Sequence, residues 1–153
     1  MLRDIINNAS YTFANGFERW EDAISFASIP LLNQHVINHS YVQAMIDSIE
    51  EYGPYVVLDN GVAIPHVSNG AKGCNANGIA LMITKKPVIF PNSDTNTNCS
   101  ASVFFVLAAL NDEGHLLNMQ NLFSVTMNHE IINDLKDATN LQDLVDISNK
   151  YDI

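Results

Sequence analysis

Basic side chains are scarce in this chain: 7 Lys and Arg stand against 17 Asp and Glu in 153 residues, a formal net charge of −10. A surface that neutralises a nucleic-acid backbone needs clustered cations, so nucleic-acid binding is not the expected role. The same acidity favours encounters with a basic partner face, and it also serves plain solubility. Cysteine is nearly absent. Cys74 and Cys99 lie far apart and form no C-x-x-C, so a redox motif or a zinc knuckle has no footing and two thiols are expected. No apolar run approaches the roughly 20 residues of a membrane span. The opening MLRDIINNASYTF has no continuous apolar stretch of the kind a secretory signal carries, which points to the cytoplasm. Neither G-x-S-x-G, a Walker loop nor a Gly-rich dinucleotide fingerprint occurs, so hydrolase, nucleotide-binding and dehydrogenase readings lack an anchor. No repeat, low-complexity linker or composition break divides the chain, and one domain over residues 1–153 is expected.

What is present is a core. Apolar residues make up 47% and charged residues only 16% of the chain, a composition that folds. Trp20, Ala23, Ile24, Ala27 and Leu31 recur at helical spacing, as do Val42, Met45, Ile46 and Ile49, so two amphipathic helices are expected before residue 52, with Pro30 kinking or ending the first. YVVLDNGVAIPH then reads as a hairpin turning at Asn60-Gly61. Apolar runs over 78–84, 88–90 and 102–110 suggest buried strands, with PNSDTNTNCS as a loop between the last two. Helical spacing returns at Leu116, Met119 and Phe123, then Ile131, Ile132 and Leu135, then Leu141, Leu144 and Val145. Helices, strands and helices in that order predict a layered α/β domain.

Among the five histidines, His66 has the best platform. A two-residue turn at Asn60-Gly61 pairs Asp59 with Val62, Leu58 with Ala63, Val57 with Ile64 and Tyr55 with His66, so the imidazole leaves the sheet at the open end. Pro65 stiffens the backbone that presents it. A neutral imidazole is a nucleophile near pH 7, and its phosphoramidate is energetic enough to pass a phosphoryl group on. An ordinary loop histidine is the plain alternative. His115 follows the strand-like SVFFVLAAL, in the first turn of a helix for which Asp112 is the candidate cap. Orphan amides and the positive dipole end at such a junction suit a phosphoryl group, which a second imidazole can contact. His35 and His39 are four apart, yet no third metal ligand or H-E-x-x-H accompanies them, and they read as a polar junction, as does His129 at a helix start. Gly70 and Gly73 flank Lys72 in an unremarkable loop.

GVAIPH, the run SVFFVLAAL and the turn into DEGHLLNMQNL resemble, in order and spacing across nearly the whole chain, the enzyme IIA family of the mannitol/fructose type in the sugar phosphotransferase system. The tract EYGPYVVLDNGVAIPH is most similar to the ascorbate-type branch, whose members carry a like Gly-Pro-Tyr stretch. The resemblance implies an α/β sandwich with a mixed sheet and helices on both sides. It implies that His66 takes phosphate from the phosphocarrier HPr and passes it to a cysteine of a IIB component, with His115 contacting the phosphoryl group and no metal or organic cofactor. The sequence lacks the IIB cysteine loop and any membrane segment, so the later components are expected on other polypeptides or to be missing. Mannitol and fructose forms usually have an Arg upstream of the P-H strand, where this chain has Glu50 and Glu51; many continue after the histidine with Ala-Arg or Gly, where it has Val67-Ser68-Asn69-Gly70. Lys72, or hydrogen bonds from Ser68, His115 and backbone amides, would then steady the phosphate. A regulatory module with the same fold, signalling through a partner without feeding transport, is the alternative reading.

Overall fold

The computed structural model describes residues 1–67, 72–92, 98–110 and 112–153, and for Asp112, Gly114 and His115 the backbone alone. The chain-order elements are α1 (Leu2–Asn7), β1 (Tyr11–Ala14), α2 (Trp20–Ala27), α3 (Ile29–Asn33), α4 (His39–Tyr52), β2 (Val62–Ala63), β3 (Gly78–Phe90), β4 (Cys99–Ala108), α5 (Asp112–Thr126), α6 (His129–Asp137) and α7 (Leu141–Tyr151). The strands form one four-stranded sheet in the order β1-β3-β4-β2. β1 runs parallel to β3 and β2 parallel to β4, while β3 and β4 are antiparallel, which makes the sheet mixed.

Alternation along the two central strands builds a core on each face. Phe104, Val106 and Ala108 of β4, with Ala80 and Met82 of β3, pack against α2, α3 and α4 through Ile24, Leu31, Tyr41, Met45 and Ile49. Val103, Phe105 and Leu107, with Leu81 and Ile83, pack on the other side against α1, α5, α6 and α7 through Ile5, Leu122, Ile132, Leu135 and Leu144. Helices thus cover both faces, as the resemblance implied. Among the described residues no helix is long and apolar enough to cross a membrane.

Several expectations need correction. Runs 78–84 and 88–90 are one strand, β3, whose register against β4 shifts between Ile83 and Val88. Pro87 falls in that shift, where a missing ladder donor costs least. Of the two options for Pro30 the structure has the ending and not the kink: α2 stops at Ala27, and Pro30 stands in the first turn of α3, where its missing N–H is harmless. The elements α1 and β1, of 6 and 4 residues, were not foreseen because neither is long enough to display a period. The helical spacing at Leu116, Met119 and Phe123 is α5, where Leu122 and Val125 are the buried residues, Met119 packs against the core, and Leu116 and Phe123 face solvent. The centre of the expected loop PNSDTNTNCS, residues 93–97, lies outside the described residues.

Candidate functional site

The turn that leads to His66 is one residue longer than expected. Leu58 N donates to Val62 O at 2.8 Å, Val57 bridges Ala63, and Gly61 N donates to Leu58 O at 3.3 Å, leaving Asp59, Asn60 and Gly61 as a three-residue loop. A two-residue type I′ turn requires positive φ at both Asn60 and Gly61. Only Gly61 has it, at +82°, because Asn60 is tied down elsewhere: its Nδ2 donates to Thr126 O at the end of α5, at 2.7 Å. The expected pairs Asp59 with Val62, Leu58 with Ala63 and Val57 with Ile64 are therefore shifted by one residue.

β2 is an edge strand, and its two sides are used differently. Towards the sheet, Ser102 N donates to Gly61 O and Leu107 N to Pro65 O, both at 3.0 Å. Towards the outside, residues 56–58 cover the edge, with Ile64 N donating to Val56 O at 2.9 Å. Pro65 has no donor to offer, and an edge is where a sheet tolerates that. The buried Pro65 carries the chain past the sheet's last rung and delivers His66 half-buried at the carboxyl end of β2.

His66 is held there by its own backbone and by two tyrosines. Nδ1 lies 2.7 Å from Ile64 O. A carbonyl oxygen only accepts, so Nδ1 carries the hydrogen, and in the neutral ring Nε2 bears the lone pair. The Tyr55 ring stands perpendicular to the imidazole, with centroids 5.9 Å apart at 83°, and its hydroxyl donates to His66 O at 3.3 Å. Tyr41, 2% exposed, donates from its hydroxyl to Leu107 O at 2.7 Å and accepts from Val67 N at 3.3 Å. One phenol therefore joins the end of β4 to the residue after His66. Burial pushes the Tyr41 hydroxyl up to about 12. It stays a donor at any physiological pH.

The position in the sheet matters as much as the clamps. β2 and β4 are parallel neighbours, and beyond their carboxyl ends the chain parts. Val67 packs into the α2–α4 core, whereas α5 crosses to the opposite core with Met119, Leu122 and Val125. Strand ends where the chain parts in this way are the habitual ligand position of α/β sheets. The first turn of α5, with its orphan amides, starts four residues beyond the end of β4. His115 occupies that turn, so the backbone brings both candidate histidines to the carboxyl ends of β2 and β4; the His115 side chain lies outside the described residues. Asp112 is the first residue of α5 and not its cap.

The remaining candidates separate from this site. His35 sits in a turn at φ +58° and His39 opens α4, so they do not share a helix face. His129 opens α6, whose cap is Asn128 accepting from Glu130 N and Ile131 N. Lys72 is exposed, and Ser68 and Gly70 lie outside the described residues. Cys74 and Cys99 are free thiols, the former raised by burial. Tyr41 escaped the sequence reading because its spacing on α4 marks only core; its polar role needs β4 and residue 67 alongside.

Comparison with known proteins adds the family. Residues 4–151 match the family described as "Phosphoenolpyruvate-dependent sugar phosphotransferase system, EIIA 2". The mannitol-specific cryptic phosphotransferase enzyme IIA component of Escherichia coli (strain K12) is 30% identical over 146 residues, covering 95% of this chain and 96% of that protein. The solution structure of that E. coli component superposes with a TM-score of 0.84, over 97% of this chain and 98% of the other, at 29% identity. The ascorbate-specific PTS system EIIA component of Shigella boydii serotype 4 (strain Sb227) is 30% identical over 153 residues, covering 97% of each. The fold is shared with E. coli enzyme IIA of mannitol solved in complex with phosphorylated enzyme IIB, with a TM-score of 0.75 at 22% identity over 92% of this chain and 94% of that one. This chain is an enzyme IIA phosphotransferase component and belongs to the EIIA 2 family of the phosphoenolpyruvate-dependent sugar phosphotransferase system.

Proposed function

We propose that His66 is the phosphoryl acceptor of this component, with Nε2 as the attacking atom. The observation that carries this reading is the 2.7 Å contact of His66 Nδ1 with Ile64 O, which leaves the lone pair on the nitrogen across the ring. Nε2 attacks the phosphorus of a phosphohistidine on the donor HPr; the donor P–N bond breaks as the new one forms. A cysteine thiolate of a IIB component then attacks the same phosphorus, forming S–P and releasing His66. Such transfer asks a protein mainly for alignment and charge stabilisation. The α5 amides and His115 are assigned the second task, steadying the equatorial oxygens.

Both partners are proteins and need a surface. Leu116, Leu117 and Phe123 of α5 and Met127 just past its end are 57–61% exposed, an apolar strip that begins one residue beyond His115. Donor and acceptor are assigned to that strip in turn, a basic partner face being drawn by the chain's net charge of −10. The reading places one domain, 1–153, in the cytoplasm, where HPr and IIB work. The transported sugar is met by other components. The Gly53-Pro54-Tyr55 tract suggests ascorbate or a similar acid sugar.

The test is mass spectrometry after incubation with phosphoenolpyruvate, enzyme I and HPr. One acid-labile phosphate on the wild type, absent from His66→Ala, is expected. A wild type that stays unmodified, or a His66→Ala protein that still takes phosphate, overturns the assignment.

A further inference from the structure

The Gly53-Pro54-Tyr55 tract does something specific in the fold. Gly53 ends α4 at φ +82°, a conformation that favours glycine, and turns the chain off the helix. The buried Pro54 stiffens the next step, and Tyr55 N closes a tight turn onto Gly53 O at 2.8 Å. The result is a tyrosine outside any regular element whose two ends both meet one residue: its ring stands across the His66 imidazole and its hydroxyl reaches the His66 carbonyl. Burial raises the Tyr55 hydroxyl, so it remains a donor where the protein works. Tyr52, three residues earlier, is the contrast: it is 69% exposed against 46% for Tyr55.

We propose that Tyr55 is the positioning residue of His66, fixing the imidazole plane and the backbone beneath it so that Nε2 meets the incoming phosphorus in line. The proposal rests on His66 as the phosphoryl acceptor. The Nδ1 hydrogen meets Ile64 O only while the imidazole keeps its plane, and the perpendicular Tyr55 ring stands against its turning out of that plane. Alignment is what phosphoryl transfer demands, and misplacement of about 1 Å can cost about a hundredfold in rate.

Two measurements on Tyr55→Ala, Tyr55→Leu and Tyr55→Phe test this, with Tyr52→Ala as the neutral control. Ring nitrogen NMR of His66 in the unphosphorylated protein is expected to show the Nδ1–H form in the wild type and in Tyr52→Ala. Tyr55→Ala and Tyr55→Leu should show a mixture of tautomers, with melting temperatures near wild type. The rate of phosphate uptake from phospho-HPr should fall about tenfold or more in those two variants and less in Tyr55→Phe, which keeps the ring. Wild-type ring signals together with wild-type uptake in Tyr55→Ala overturn the proposal. Should the wild type take no phosphate, the acceptor reading fails, and the ring spectra alone then decide whether Tyr55 orients His66.

Discussion

The two longest helices, α4 with 14 residues and α5 with 15, lie on opposite faces of one sheet and treat their apolar side chains in opposite ways. On α4, Tyr41, Val42, Met45, Ile46 and Ile49 form one stripe, and all five are buried. On α5, Leu122 and Val125 suffice for the core, while Leu116, Leu117 and Phe123, with Met127 just past its end, stand in solvent. A helix built only for stability would resemble α4. The outward strip on α5, starting beside the second candidate histidine, is the surface that the proposed function assigns to the partner proteins. Yet both helices border the same candidate site: Tyr41 of α4 accepts from the backbone of the residue after His66, and α5 opens beyond the end of β4.

Substitutions sharpen the contrast, the largest effect coming from α4. Met45→Ala is expected to cost about 2–5 kcal/mol in denaturant unfolding, since Met45 is fully buried between helix and sheet. Tyr41→Phe should cost about 1–3 kcal/mol, because Leu107 O loses its donor in a buried place. It should also flatten the alkaline limb of stability. Unfolded tyrosine ionises near 10 and buried Tyr41 near 12, so the stabilisation it brings is complete below about pH 10 and is lost as pH rises to about 12. Tyr55 and Tyr151, also raised, keep the rest of that slope in the variant. Phe123→Ser should leave stability within about 0.5 kcal/mol of wild type. It should raise the HPr concentration for half-maximal uptake about tenfold, or 1.4 kcal/mol. Equal destabilisation by Phe123→Ser and Met45→Ala would collapse the comparison, for the α5 strip would then be core.

Much of this was legible along the chain. Ile24, Leu31, Met45 and Ile49 announce buried helix faces by spacing alone, and β4 announces itself as an apolar run between polar segments, because burial on both faces of a central strand demands it. The platform of His66 was legible too: Pro65 and the Asn60-Gly61 turn are local signals. The exact register was not. Asn60 was free, on sequence grounds, to adopt positive φ, and what prevents it is the Thr126 carbonyl, 66 residues away. The buried face of α5 was not legible for a related reason. Leu116, Met119 and Phe123 have the right period for a core stripe, but a helix with apolar residues on two sides cannot declare which side meets the sheet.

By itself, then, the sequence determined the elements that are long enough to show a period, the turn chemistry that ends β2, and the choice of His66 and His115 as chemical candidates, all of which depend on neighbours within a few residues. Only the tertiary structure decided that β2 and β4 lie parallel with their continuations parting, that Tyr41 ties residue 67 to Leu107, and that Tyr55 stands across the imidazole. These are contacts between segments far apart in the chain. Their partners are chosen by the packing of two cores against one sheet, and no local pattern encodes that choice.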